Sequence, residues 1–127
     1  CGKRGCFEVY ASIKRFKEKI KEEFNLEDLE NSNIKEFIEK NIEDVKLKYL
    51  INQYVENLAI GISNIINIFE PEVIVIGGGF SDYKDILIKP LKKKILSDNM
   101  LFNKREDINI KVSKLGNDAG MIGATLI

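Results

Sequence analysis

Apolar residues recur at three- and four-residue spacing through the first half of this chain. Val9, Ile13, Phe16 and Ile20 keep that period, which predicts a helix from about Phe7 to Phe24. The opposite face is rich in Lys and Glu, with Lys14 and Glu18 at i,i+4 spacing, and reads as a solvated surface. Residues 25–33 form a polar connection. Asn33 can cap a short helix that turns Ile34, Phe37 and Ile38 inward. Leu47, Ile51, Tyr54, Val55, Leu58, Ile62, Ile65, Ile66 and Phe69 then predict a long helix from about Glu43 to Phe69. Its apolar fraction rises toward the end, so that half should be more deeply buried. Gly61 sits inside it at a cost of about 1 kcal/mol relative to alanine, which the close approach of another backbone would explain.

The period changes after Pro71, which stops the helix. Val73 to Ile76 is a continuous β-branched run, too short for a helix and without alternation, and reads as a strand covered on both faces. Gly77, Gly78 and Gly79 follow directly. Ser81 or Asp82 can cap a short helical turn, and Pro90 suits the first turn of a further helix reaching about Leu96. Ile108 to Val112 alternates strictly and reads as a second strand, nearer an edge. Residues 116–120 form a turn into a small-residue helix from Met121 to Leu126. Strands alternating with helices give an α/β class with a parallel pair.

Composition narrows the function. A length of 127 residues suits one domain or one lobe of a larger one. Lys plus Arg and Asp plus Glu each number 20, so no basic excess points to nucleic acid or a membrane surface. The apolar stretches fall short of the roughly 20 residues of a membrane span. There is no histidine, which excludes a Ser-His-Asp or Cys-His catalytic unit and a complete Cys/His zinc site made from this chain alone. The two cysteines, Cys1 and Cys6, do not make a secreted disulfide scaffold, and a reducing cytoplasm is expected. The chain begins at Cys1 rather than Met and no signal peptide precedes the folded part, so it is expected to be cut from a longer one.

Three segments could carry chemistry, and each has a plain alternative. Glycines between Cys1 and Cys6 can turn both sulfurs toward one point, where thiolates would bind zinc; otherwise they are two unpaired loop cysteines. Glu8 lies at a predicted helix start, where the dipole keeps a carboxylate ionised and able to accept hydroxyl hydrogen bonds; otherwise it is a plain helix-terminus charge. Gly77, Gly78 and Gly79 at the end of a buried strand let a ligand approach the backbone, with a helix N-terminus favouring phosphate; otherwise they make a tight turn. The spacing is neither the Walker pattern nor the dinucleotide fingerprint.

Together these segments resemble a known set. Cys1-Gly2-Lys3-Arg4-Gly5-Cys6-Phe7-Glu8, followed by Tyr10-Ala11-Ser12, resembles the signature of the ROK family of repressors, open reading frames and kinases, entered at its second cysteine. Ala59-Ile60-Gly61 through Asn67, then Pro71 to Gly79, resembles the family's helix, strand and glycine turn. Asn117-Asp118-Ala119-Gly120-Met121-Ile122-Gly123-Ala124 resembles its closing motif. Residues from about Glu18 to Asp44 do not carry the likeness.

The resemblance implies the C-terminal lobe of an actin-like, ribonuclease-H-like ATPase fold, with helices around a short parallel sheet. It implies a partial zinc and sugar loop over residues 1–8, a helical part over 9–69 and an α/β part over 70–127. By the same resemblance Cys1 and Cys6 are two ligands of a structural zinc, Glu8 binds sugar hydroxyls, and Gly77 to Gly79 lie near the adenosine of ATP. ATP would act with Mg. The catalytic aspartate and first phosphate loop would lie upstream. The implied function is part of an ATP-dependent sugar kinase for a hexose or aminosugar, inactive as this chain alone and belonging to a homo-oligomer. The alternative is the sugar-sensing domain of a transcriptional repressor.

Overall fold

The computed structural model describes residues 2–97, 99–104, 106–114 and 118. Five α-helices, a short 3-10 helix and two strands make up the described elements. They are α1 (Phe7–Ala11), α2 (Ile13–Phe24), α3 (Ile34–Lys40), α4 (Val45–Phe69), β1 (Ile74–Ile76), the 3-10 helix (Gly78–Tyr83), α5 (Lys84–Ser97) and β2 (Ile110–Val112).

The expected helix over residues 7–24 is two helices. Ser12 stands in extended backbone between them, and its hydroxyl accepts a hydrogen bond from the Arg15 amide at 3.2 Å. A serine there competes for the backbone and starts a new helix as its N-cap. The first helix closes on itself, since the Ser12 amide donates to the Glu8 carbonyl. At the other end of α2, Asn25 takes the left-handed conformation at φ 53° and ends the helix. Asn33 precedes α3 as expected, but its side chain makes no capping bond there and its backbone is already helical.

The long helix α4 holds the core together. Asp44 caps it, accepting from the Leu47 amide at 2.9 Å. One face of α4 meets α2 through Phe16 and Ile20, and another meets α5 through Leu87, Leu91 and Ile95, which are buried. Burial of each such side chain contributes about 1.5–3 kcal/mol, and Leu87→Ala or Leu91→Ala would cost about 2–5 kcal/mol. Pro90 lies in the interior of α5 rather than at its start, because the residues before it are already helical from Lys84. The ring removes one backbone donor from that helix.

The two strands pair in parallel, with Ile74 opposite Ile110 and Ile76 opposite Val112. Their bonds extend outward, from the Ile74 amide to the Asn109 carbonyl and from the Ser113 amide to the Ile76 carbonyl. Both strands are shorter than expected, since Val73 and Ile108 fall outside the ladder. Alternation in the second holds, with Ile108 and Ile110 buried. Among the described residues the first strand is covered on one face, not on both as expected. Val75 is 59% exposed while Ile74 and Ile76 pack toward the core, so only one face of β1 meets other described residues. The expected closing helix from Met121 to Leu126 lies outside the described residues.

Candidate functional site

Each described candidate site residue sits at the start or end of a regular element. Cys6 is the N-cap residue of α1, half-buried and free of disulfide, and Glu8 stands in the helix's first turn. The Glu8 side chain is exposed. Glycines at φ 73° (Gly2) and 75° (Gly5) turn the loop before it, in a conformation that a Cβ would strain. Cys1 lies outside the described residues. Among the described residues no group of three or more Cys, Asp or Glu side chains could hold a metal ion. A zinc centre at Cys6 therefore needs ligands that the described residues do not bring together.

The helix carrying Glu8 is fixed from behind by α4. A Cβ on Gly61 would fall on the ring of Phe7, so the glycine admits an aromatic side chain rather than the expected backbone. One turn further along α1, the Tyr54 hydroxyl donates to the Ala11 carbonyl at 3.0 Å. Burial of Tyr54 raises its pKa well above the ordinary tyrosine value, so the hydroxyl keeps its proton.

The three glycines have three different surroundings. Gly77 is extended, and a Cβ there would meet Ser113 Cβ at an ordinary 3.7 Å. Gly78 has φ 67°, which strains any side-chain-bearing residue. A Cβ on Gly79 would stand 3.2 Å from the Ile13 methyl Cγ2. The fold itself thus requires glycine at 78 and favours it at 79. It makes no such demand at 77, where the missing side chain leaves backbone open to a neighbour. Gly78 and Gly79 already belong to the 3-10 helix, so the α-helix N-terminus expected beside the glycines stands five residues beyond Gly79, at Lys84.

Beside Gly79 is an open recess of about 300 Å³ lined by Ile13, Lys14, Lys17, Glu18 and Asn31. Lys17 Nζ lies 5.4 Å from the centre of the Tyr83 ring. The Tyr83 hydroxyl's pKa is raised to about 12, by burial first and the Asp82 charge second. A second, more enclosed cleft of about 170 Å³ lies between α1, α2 and α4, but neither Glu8 nor the glycines line it.

Sequence reasoning singled out the glutamate and the glycines as candidates but not the residues packed between them. Phe16 stacks on Tyr54 at 4.5 Å between ring centres, and Tyr83 meets Phe16 edge-on at 6.1 Å. This aromatic run leads from the helix pair behind Glu8 to the 3-10 helix after Gly77. Ile13 makes the same connection through Gly79. Only their apolar periodicity marked Phe16 and Tyr54, and nothing marked Tyr83. Of the expected closing motif, Asp118 is exposed and the rest lies outside the described residues.

Solved structures share this fold. A ROK-family glucokinase from Streptomyces griseus, in complex with glucose and AMPPNP, superposes with a TM-score of 0.78 over 98% of this chain and 44% of that one, at 22% identity. The fold is thus that of one lobe of the actin-like ATPase fold, helices around a short parallel sheet. The chain belongs to the ROK family, whose family model matches residues 1–127. A glucokinase of Thermotoga maritima is 30% identical over all of this chain and 43% of its own length. A putative xylose repressor of Caldicellulosiruptor is 28% identical over 97% of this chain and 33% of its own. The chain therefore spans less than half the length of these curated relatives.

Proposed function

We propose that this chain is the C-terminal lobe of an ATP-dependent sugar kinase acting on a hexose or aminosugar. Glu8 would accept hydrogen bonds from sugar hydroxyls, and Gly77 to Gly79 would face the adenosine part of ATP, whose Mg and phosphates are held largely by residues outside the chain. The observation that carries the reading is the packing of both segments on one framework, with an exposed carboxylate at the start of α1 and an open glycine at the end of β1. The Thermotoga maritima glucokinase supports the kinase class. A structural zinc belongs to the reading, with Cys1 and Cys6 as two of its thiolates and the other ligands beyond the chain.

Phosphoryl transfer is mostly positioning and electrostatics, and the groups that hold metal, phosphates and acceptor hydroxyl must come together. Glu8 contributes by fixing the hydroxyls of the acceptor. ATP supplies the transferred phosphoryl group. The chain has no histidine to serve as base, and by itself it is expected not to turn over sugar. In the full-length protein, Glu8→Ala should weaken sugar at least tenfold, as loss of a hydrogen bond to a charged group of about 1.5–3 kcal/mol implies. Affinity for a nucleotide analogue should hardly change. Calorimetry with glucose, N-acetylglucosamine and xylose tests this, and unaltered sugar binding would return Glu8 to a helix-terminus charge. The likeness to a xylose repressor favours a second reading, in which the same pocket senses sugar for a DNA-binding repressor. Sugar-dependent ADP release by the full-length protein separates the two.

A further inference from the structure

The structure assigns Tyr54 and Gly61 of α4 as positioning residues for the Glu8 carboxylate; this rests on the reading of Glu8 as the sugar ligand. The helix α1 has five residues and no buried side chain of its own. A helix that short does not hold its shape in water without tertiary support. Its orientation, and so the direction of Glu8, must come from what it rests on.

It rests on α4 at two points. Phe7 and Ala11 are four residues apart, so they share one face of α1. The Phe7 ring lies over Gly61, where even a methyl would collide with it. The Ala11 carbonyl, at the last residue of α1, accepts from the Tyr54 hydroxyl at 3.0 Å. That carbonyl is one of those a helix leaves without an internal partner. Tyr54 and Gly61 are seven residues apart on α4, two turns or about 10.5 Å along its axis. Glu8 falls between the two supports, and its own carbonyl receives the Ser12 amide that closes the helix. Tyr54 in turn stacks on Phe16, at 4.5 Å between ring centres.

A residue that aims a ligand-binding carboxylate should matter through that carboxylate. Four variants of the full-length protein test this: Glu8→Gln, Tyr54→Phe, the two combined, and Gly61→Ala. The readouts are calorimetric affinity for glucose, N-acetylglucosamine and xylose, affinity for AMPPNP, and the thermal midpoint. Tyr54→Phe keeps the stacked ring and removes only the hydroxyl. It should weaken sugar about threefold to tenfold, the range that a single neutral hydrogen bond gives. AMPPNP affinity should stay within about twofold. In the Glu8→Gln background Tyr54→Phe should change sugar affinity by less than about twofold, because residues acting through one group are not additive. Gly61→Ala should follow Tyr54→Phe in direction by pushing Phe7 aside.

The outcomes separate the claims. If Glu8→Gln leaves sugar binding intact, or none of the three sugars binds the parent protein, the role of Glu8 fails and the inference falls with it. If Glu8→Gln weakens sugar but Tyr54→Phe and Gly61→Ala do not, the positioning role is overturned while the sugar reading stands. Additive effects, or equal loss of sugar and nucleotide affinity alongside a lowered midpoint, would make Tyr54 a plain structural residue and overturn it as well.

Discussion

The Cγ2 methyl of Ile13 lies 3.2 Å from the position that a Cβ on Gly79 would take. The first residue of α2 thus fills the side-chain space of the turn after β1, and the glycine run divides into positions with separate physical demands. Gly78→Ala must hold a left-handed residue and should cost about 1–3 kcal/mol. Gly79→Ala asks the Ile13 methyl to give by a few tenths of an ångström and should cost less than Gly78→Ala, about 1 kcal/mol at most. Gly77→Ala, in extended backbone with ordinary contacts, should stay within about 0.5 kcal/mol of the parent. Urea unfolding of the 127-residue chain orders the three. In the full-length protein Gly77→Ala should nonetheless weaken AMPPNP, and unchanged affinity would remove Gly77 from the nucleotide site.

Asn67 clamps the loop that follows α5. Its Nδ2 donates to the Met100 carbonyl at 2.8 Å, and its Oδ1 accepts from the Phe102 amide at 3.0 Å. Asn67→Ala removes both bonds and should cost about 1–3 kcal/mol. Asn67→Asp keeps the acceptor but sets a carboxylate against the Met100 carbonyl, and should be no more stable than Asn67→Ala. Equal urea midpoints for Asn67→Asp and the parent would contradict the clamp.

Tyr54 and Tyr83 both have pKa values raised on folding, chiefly by burial, the latter to about 12. Their contribution is complete below the unfolded tyrosine value of about 10 and is lost as pH rises through the folded values, since only the unfolded chain ionises first. Stability should therefore fall between about pH 10 and pH 12. The double variant Tyr54→Phe/Tyr83→Phe should show a shallower fall in thermal midpoint over that range. An identical slope would mean that these hydroxyls do not govern alkaline unfolding.

Cys6 stands at the N-cap position of α1, two residues before Glu8. In the full-length protein, Cys6→Ser should lower bound zinc well below the near-stoichiometric content expected of the parent, by elemental analysis, and weaken sugar with it. A parent free of zinc yet able to bind sugar would end the zinc proposal.

Much of this architecture is legible in the sequence where a strong local signal agrees with the packing. The span of α4 follows from its sustained apolar period between Asp44 and Pro71. The parallel pair follows from two β-branched runs separated by a helix. The break at Ser12 does not, because Val9, Ile13, Phe16 and Ile20 keep helical spacing straight across it. Pro90 misleads in the other direction, since tertiary packing of Leu87 and Leu91 holds the helix on both sides of the ring. Burial of Val75 cannot be read from β-branching, which marks strand tendency and not what lies over the strand. For the site, residue type singles out Glu8 and the glycines. The supports are hidden because Tyr54 and Phe16 look like any other core residues until their partners are known.

The run of rings from Tyr54 through Phe16 to Tyr83 has a mechanical meaning. Packed aromatics with fixed neighbours behave as a strut and not as a spring, so the distance between the glutamate helix and the glycine turn is set when the chain folds. On the proposed sugar reading, an acceptor of different size would not be met by stretching this run of rings. If Glu8 binds sugar as proposed, adaptation to another acceptor would fall to the loop around Glu8 and to residues outside this chain.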